Sequence, residues 1–303
     1  MGSPFSVWVM TGTGVLKGFD FGGRELWARD IQKDYGAFGL KWGYASSPLL
    51  YEDSLYVQVL HGMTTDDPSY VLRVDKKTGK TLWRVERPTD AVSESPDAYT
   101  TPTLLRVGKA TEIVVSGGDY VTGHDPATGK ELWIGKGVES NAIPSPVATT
   151  GRDMVVVSAG FPAKVAYAIK LGASGELKDA DIAWRYTKGT AYVPSPILYG
   201  DYIYLLTDKG IMTCLDARTG EVKYEGGRPP VPATFTASPV AFDDKILLTS
   251  EDGDTFVIKA GPKHEVLRTN SVGEPVYASP AVADGKLFIR GEKHLYAIER
   301  AKK

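Results

Sequence analysis

A single cysteine, Cys214, stands in 303 residues, so no intrachain disulfide staples the chain. Its setting in Ile211-Met212-Thr213-Cys214-Leu215-Asp216 reads as a small buried strand residue, and it does not by itself assign a redox compartment. No apolar run reaches the ~18–20 residues that a membrane-spanning helix needs. The charge is balanced, 35 basic against 37 acidic residues, which gives no argument for a surface built for nucleic acid or anionic lipid. There are four histidines and none pairs with another at zinc-ligand spacing. No Gly-x-Ser-x-Gly elbow, phosphate loop or Cys-x-x-Cys occurs. Sustained helical periodicity is missing throughout.

The chain is instead rich in punctuation, with 33 glycines and 19 prolines. Ser/Thr-Pro dipeptides open similar units at Ser47-Pro48, Thr101-Pro102, Ser145-Pro146, Ser195-Pro196, Ser238-Pro239 and Ser279-Pro280, with prolines 54, 44, 50, 43 and 41 residues apart. A period near 40–50 residues suits one four-stranded propeller blade. Each unit follows one plan, as in the fifth. A short apolar strand (Ile197-Leu198-Tyr199) leads through Gly200-Asp201 to an alternating strand, Tyr202-Ile203-Tyr204-Leu205-Leu206. Asp208-Lys209-Gly210 then turns into a third strand, and a hairpin at Asp216 leads to a fourth. Short strands with turn signals every few residues predict an all-β fold.

The hairpins are the most specific element. Asp75-Lys76-Lys77-Thr78-Gly79-Lys80-Thr81-Leu82-Trp83 recurs as Asp125-Pro126-Ala127-Thr128-Gly129-Lys130-Glu131-Leu132-Trp133. The frame from Asp216 ends on Tyr224, and the one from Asp20 to Trp27 is a residue shorter. Asp and Thr side chains suit turn amides, Gly accepts the positive φ, and the closing aromatic can bridge two sheets with its N–H on a carbonyl. Trp27, Trp83, Trp133, Trp184 and Tyr224 are therefore expected to rivet one blade to the next. These hairpins resemble the tryptophan-docking repeats of the quinoprotein (PQQ-like) propeller family, over residues 7–298. That family includes PQQ-dependent alcohol dehydrogenases and the non-enzymatic outer-membrane assembly lipoprotein propeller.

The resemblance implies a β-propeller, one domain over 1–303 with seven recognisable four-stranded blades. The first and last are incomplete. The first unit shows its last three strands, with Ser3-Pro4 offering a truncated start, and the seventh shows its first three. Both a seven-bladed ring and an eight-bladed ring that lost a blade stay open, as does a dimer through the incomplete terminal blades. Met1-Gly2-Ser3 reads as an expression scar. The resemblance also implies a periplasmic or secreted compartment.

Loops between second and third strands, and between blades, leave one edge of a propeller, where function gathers. On that edge the long insertions are 28–44, 61–68 and 87–100, with a shorter loop near Asn141. The candidate partner face is made of His61, Asp66, Asp67, Glu94, Asp97 and Asn141, with the aromatics before the Ser/Thr-Pro starts: Tyr44, Tyr99, Tyr192, Phe235 and Tyr277. Repetitive packing and an aromatic binding collar both account for those aromatics. His124 is expected to be packed, and Asp252-Gly253-Asp254 to be a turn rather than a calcium loop.

Resemblance to the dehydrogenases implies a cofactor pocket with adjacent cysteines in a disulfide, a tryptophan floor and calcium ligands. One cysteine excludes the disulfide, and no motif matches the calcium ligands or the catalytic aspartate. The expected function is a non-catalytic scaffold for a protein, peptide or carbohydrate, with no cofactor assigned. Two alternatives stay open: a PQQ-dependent oxidoreductase with a degenerate pocket, and a propeller hydrolase or lyase using His61.

Overall fold

Gly- and Asp-rich turns every five to ten residues leave room only for short antiparallel strands, and seven such sheets form. The computed structural model describes residues 6–299 except 109, 140, 150–153 and 163. Met1-Gly2-Ser3 and the truncated strand at Ser3-Pro4 lie outside the described residues. The sheets are the seven blades of a β-propeller. Blade 2 is representative: Leu49–Tyr51, Ser54–Val59, Tyr70–Asp75 and Thr81–Glu86, paired in chain order. Among the described residues, blade 1 (Ser6–Met10, Val15–Asp20, Glu25–Asp30) and blade 7 (Ala281–Ala283, Lys286–Arg290, Leu295–Glu299) show three strands each. Two compact units divide the chain: Met1–Val157 with Ile169–Ile182, and Ser158–Ala168 with Ala183–Lys303.

Sequence alternation is not what buries the strands. Every residue of Ser54–Val59 is buried, and Tyr202–Leu206 is buried at all but its first position. A strand points successive side chains to opposite faces, so a sheet with neighbours on both sides buries both sets. Leu55, Val57 and Val59 pack with Leu16 and Ile31 of the first repeat. Tyr56 and Leu60 pack the other way, with Ile113 and Val115 of blade 3. Alternation does appear in Ser6–Met10, where Val7 and Val9 stay exposed.

The repeated dipeptides have a structural reason. Within the first unit, the Ser47 amide donates to Thr101 Oγ1 (3.0 Å) and the Thr101 amide to Ser145 Oγ (2.9 Å). Within the second, the Ser195 amide donates to Ser238 Oγ and the Ser238 amide to Ser279 Oγ, both at 2.9 Å. Each Ser/Thr thus ties its blade to the next through a hydroxyl, which an alanine could not supply.

The hairpins behave as their residues require. Asp75 Oδ1 accepts from the amides of Lys77 (3.0 Å) and Thr78 (2.8 Å) and from Thr78 Oγ1 (2.8 Å). The Thr78 hydroxyl and these amides hold the Asp75 carboxyl below the usual carboxylate range. Gly79 takes φ +73°, and a Cβ there would lie 2.6 Å from Trp27. Glycine is needed twice over, for the turn and for the indole of the preceding blade.

Three of the five expected rivets dock alike. Trp27 Nε1 donates to Lys76 O (3.1 Å), Trp83 Nε1 to Pro126 O (3.1 Å) and Trp184 Nε1 to Ala217 O (3.1 Å), each the residue after the Asp of the next hairpin. Trp8 adds a second indole to Lys76 O at 2.8 Å. Trp133 departs, because residues 170–177 of the next repeat lack the Asp-x-x-Thr-Gly frame. Gly175–Glu176 instead adds a parallel fifth strand beside Trp133 and Ile134, and the indole donates to Glu112 Oε2 (2.8 Å). Tyr224 also departs. Its ring packs edge-on against His264 at 5.5 Å, and its buried hydroxyl has no partner among the described residues.

Candidate functional site

The loops at one edge of blades 1–3 meet around two buried polar side chains. Insertion 28–44 begins with one helical turn, Ile31–Tyr35, capped by Asp30 Oδ1 on the Lys33 amide. It then runs to Gly39, whose amide donates to His61 Nδ1 at 2.9 Å. His61 Nε2 faces Pro68 O at 3.4 Å, so the ring is a neutral acceptor at Nδ1 and donor at Nε2. Burial lowers its pKa, which keeps it neutral. Asp97 is fully buried. Its Oδ1 accepts from the Gly62 (3.0 Å) and Met63 (3.1 Å) amides, and its Oδ2 from the Lys41 amide (2.9 Å). One carboxylate therefore ties three insertions together.

The remaining candidates surround this centre, some exposed and some buried. Asp66 and Asp67 are exposed and, with His61, Thr65, Thr89 and Pro96, line a cavity of about 280 Å³. Glu94 meets Lys41 Nζ (3.3 Å) and accepts from Asn141 Nδ2 (3.0 Å). Asn141 is buried and its Oδ1 has no partner among the described residues. Tyr99 is half-buried, and desolvation pushes its hydroxyl up to about 12. The Tyr99 amide donates to Ala142 O at 2.8 Å, which sets the third insertion beside the loop at Asn141. Arg87, at the base of that insertion, is buried among Thr122 Oγ1 (3.2 Å) and Tyr120 O (2.8 Å). Burial pulls its pKa to about 10.

The aromatics before the Ser/Thr-Pro starts do not share one environment. Tyr44 is buried, packs against Phe38 at 5.1 Å and donates to Gln58 O (2.9 Å). Phe235 lies in the core of the second unit, 6.1 Å from Phe256. Tyr192 is half-buried against Phe161 at 5.7 Å. Only Tyr277, 56% exposed, stands free of the packing among these five. The structure thus gathers His61, Asp66, Asp67, Glu94, Asp97, Tyr99 and Asn141 in the first unit, and leaves Tyr192, Phe235 and Tyr277 at separate places in the second.

Trp42 belongs to the insertion 28–44 expected on the functional edge, but it was not among the candidate site residues. It is 69% exposed, with Lys41 Nζ, the partner of Glu94, 5.3 Å from its ring centre. Its signal was available: it is the one tryptophan set in a long insertion, away from strands and hairpins. His124 is packed as expected, with Nδ1 at Gly129 O (3.1 Å) and Nε2 at Thr122 Oγ1 (2.9 Å). Asp252-Gly253 forms the expected turn, closed by the Gly253 amide on Ser250 O.

The residues do not fit a quinone pocket. The one thiol, Cys214, is buried within blade 5 with Sγ 3.7 Å from Gly261 O, and it has no second thiol to pair with. Among the described residues, no three His, Cys, Asp or Glu side chains converge as a metal site. No helix among them is long and apolar enough to cross a membrane.

Riveted blades with Ser/Thr ties define a PQQ-like β-propeller, and comparison with known proteins agrees. The BamB structure from Moraxella catarrhalis superposes with a TM-score of 0.69 at 12% identity, covering 96% of this chain and 80% of that one. A europium-containing methanol dehydrogenase gives 0.65 at 11% identity, covering 95% and 71%. The quinohemoprotein alcohol dehydrogenase ADHIIG from Pseudomonas putida HK5 gives 0.58 at 13%, covering 94% and 68%. At these identities the likeness is one of fold. No curated protein sequence matches. The family model described as outer membrane protein assembly factor BamB matches residues 6–226, and the chain belongs to that family.

Proposed function

We propose that this chain is a non-catalytic propeller scaffold that holds a protein partner on the loops 36–44, 61–69 and 87–100. The observation that carries the reading is how the polar groups there are used. His61 and Asp97, the groups best suited to catalysis, have their nitrogens and oxygens committed to backbone partners. What faces solvent is an anchor for another surface: Trp42 and Val92, 69% and 74% exposed, beside the Lys41–Glu94 pair. Exposed apolar side chains, an indole above all, with a charged rim are how protein interfaces concentrate binding energy. Membership in a family described as an outer membrane protein assembly factor supports a protein partner, and a location in the cell envelope.

The test places a photo-crosslinking residue at Trp42, at Val92, and at Phe21 as a control. Phe21 is 66% exposed but lies on a strand 3–4 hairpin, at the other end of its blade. Discrete adducts to one protein at 42 and 92 and none at 21 are expected. Equal labelling at all three positions, or stoichiometric PQQ binding with dye reduction, overturns the reading.

A further inference from the structure

A second cavity, built from other residues, lies at the equivalent edge of blades 5 and 6. Its volume is about 690 Å³, within the ~300–1,000 Å³ of ligand pockets. The strand 2–3 turn of blade 5 supplies Lys209, the connection to blade 6 supplies Arg228 through Thr234, and the strand 2–3 turn of blade 6 supplies Asp252.

The wall is rigid and chemically one-sided. Pro229, Pro230 and Pro232 fix φ and carry no amide N–H. The carbonyls of residues 228–232 accept no hydrogen bond from described residues, while Ala233 O lies against Gly210. Its far end is pinned by the Phe235 amide on Asp208 O (2.8 Å) and the Glu251 amide on Thr234 O (2.9 Å). Beneath it Gly210, at φ +73°, lets Phe235 and Pro229 close in; a Cβ would lie 2.8 Å from the phenyl ring. Phe235, buried under the cavity, is thus a positioning residue for this wall. Lys209 and Arg228 are exposed, and neither makes a hydrogen bond or ion pair with a described residue. Pro and Val231 surfaces give the apolar floor, and Val231 is 47% exposed.

We propose that this cavity binds an extended acidic peptide segment. Its amides would donate to the bare carbonyls of the proline wall, as an added strand does at a sheet edge. Its carboxylates would meet Lys209 and Arg228, and its apolar side chains would lie on the prolines and Val231. Asp252, on the third side, excludes a carboxylate there and orients the segment. A wall already held in shape lowers the ordering cost of binding.

Fluorescence anisotropy tests this with three labelled hexapeptides of alternating Val with Glu, Lys or Ser. The Glu peptide should bind at least about tenfold tighter than the Ser peptide, and more weakly as salt rises. The double variant Lys209→Glu/Arg228→Glu should lose that affinity by about tenfold and favour the Lys peptide. Near-UV circular dichroism checks its fold, and Lys209→Gln/Arg228→Gln serves if the reversal does not fold; it should lose the preference for acid. Absent binding of the Glu peptide, equal binding of all three, unchanged affinity in a folded variant, or competition by inorganic phosphate as strong as by the peptide overturns the proposal. Failure of crosslinking at Trp42 would leave it standing, because the two tests share no residue.

Discussion

If an indole of one blade rests directly on the hairpin glycine of the next, adding a methyl to that glycine must hurt more while the indole is present. Trp184 is 7% exposed, donates to Ala217 O, and lies over Gly220, where a Cβ would fall 2.6 Å from the indole Cγ. Trp184→Ala removes a buried aromatic, at a cost of about 3–5 kcal/mol. Gly220→Ala places a side chain at φ +72°, costing about 1–2 kcal/mol, and adds a contact below van der Waals distance worth about 1–3 kcal/mol more. In the double variant the second part vanishes, since the methyl enters the space the indole left. The two single effects should therefore exceed the double effect by at least about 1 kcal/mol. Urea denaturation of all four proteins, with slopes compared to check that the transition is unchanged, measures it. Additivity within about 0.5 kcal/mol would refute the close-approach account of the Trp–Gly pairing.

Three other outcomes follow from the structure. Asp97→Ala orphans the amides of Lys41, Gly62 and Met63, so it should destabilise by about 3–5 kcal/mol and raise amide exchange in 39–44 and 61–69, read by mass spectrometry. Unchanged exchange there would contradict the three-loop tie. Glu112→Leu should cost about 1–3 kcal/mol, because the buried Trp133 N–H loses its acceptor, whereas Glu112→Gln should retain part of it; equal urea midpoints for the two would be inconsistent with that bond. Burial pushes His124 down to about 4, so the folded protein stays neutral there while an unfolded histidine takes a proton near 6.5. The folded state then binds fewer protons, and stability is full above about pH 6.5 and falls by about 2–3 kcal/mol as the pH drops toward 4, with His61 acting in the same sense. His124→Gln should narrow the difference in urea midpoint between pH 7 and pH 4.5; an unchanged difference would rule His124 out.

Much of the architecture was legible from local chemistry. The Asp-x-x-Thr-Gly frame determines its own turn, since every bond from Asp75 to residues 77 and 78 closes within four residues. The blade count followed from the six Ser/Thr-Pro starts and the partial unit before them. Where the reading faltered, the deciding partner lay far away in sequence. Trp133 and Trp83 sit in the same nine-residue frame, yet their N–H groups go to different kinds of acceptor, because the next repeat is regular in one case and not in the other. Tyr202–Leu206, read as an alternating strand, is buried at all but its first position, because side chains on both its faces meet neighbours.

The candidate site divides along the same line. Its membership was partly visible, because long insertions must fall at one edge of their blades, and seven of the eleven candidates do gather there. Their roles were not. Whether Asp97 is a general base or a loop tie depends on three amides that lie 34 to 56 residues away, and whether Tyr44 is a ligand platform or core depends on Phe38 and Gln58. The turns, the strand lengths and the repeat were determined by the sequence alone, since steric and hydrogen-bonding preferences act between near neighbours. The tertiary structure alone decided which polar groups are already satisfied and which still face solvent. That is settled by groups far apart in the chain, and it is what separates a fold-holding aspartate from Trp42, Lys209 and Arg228.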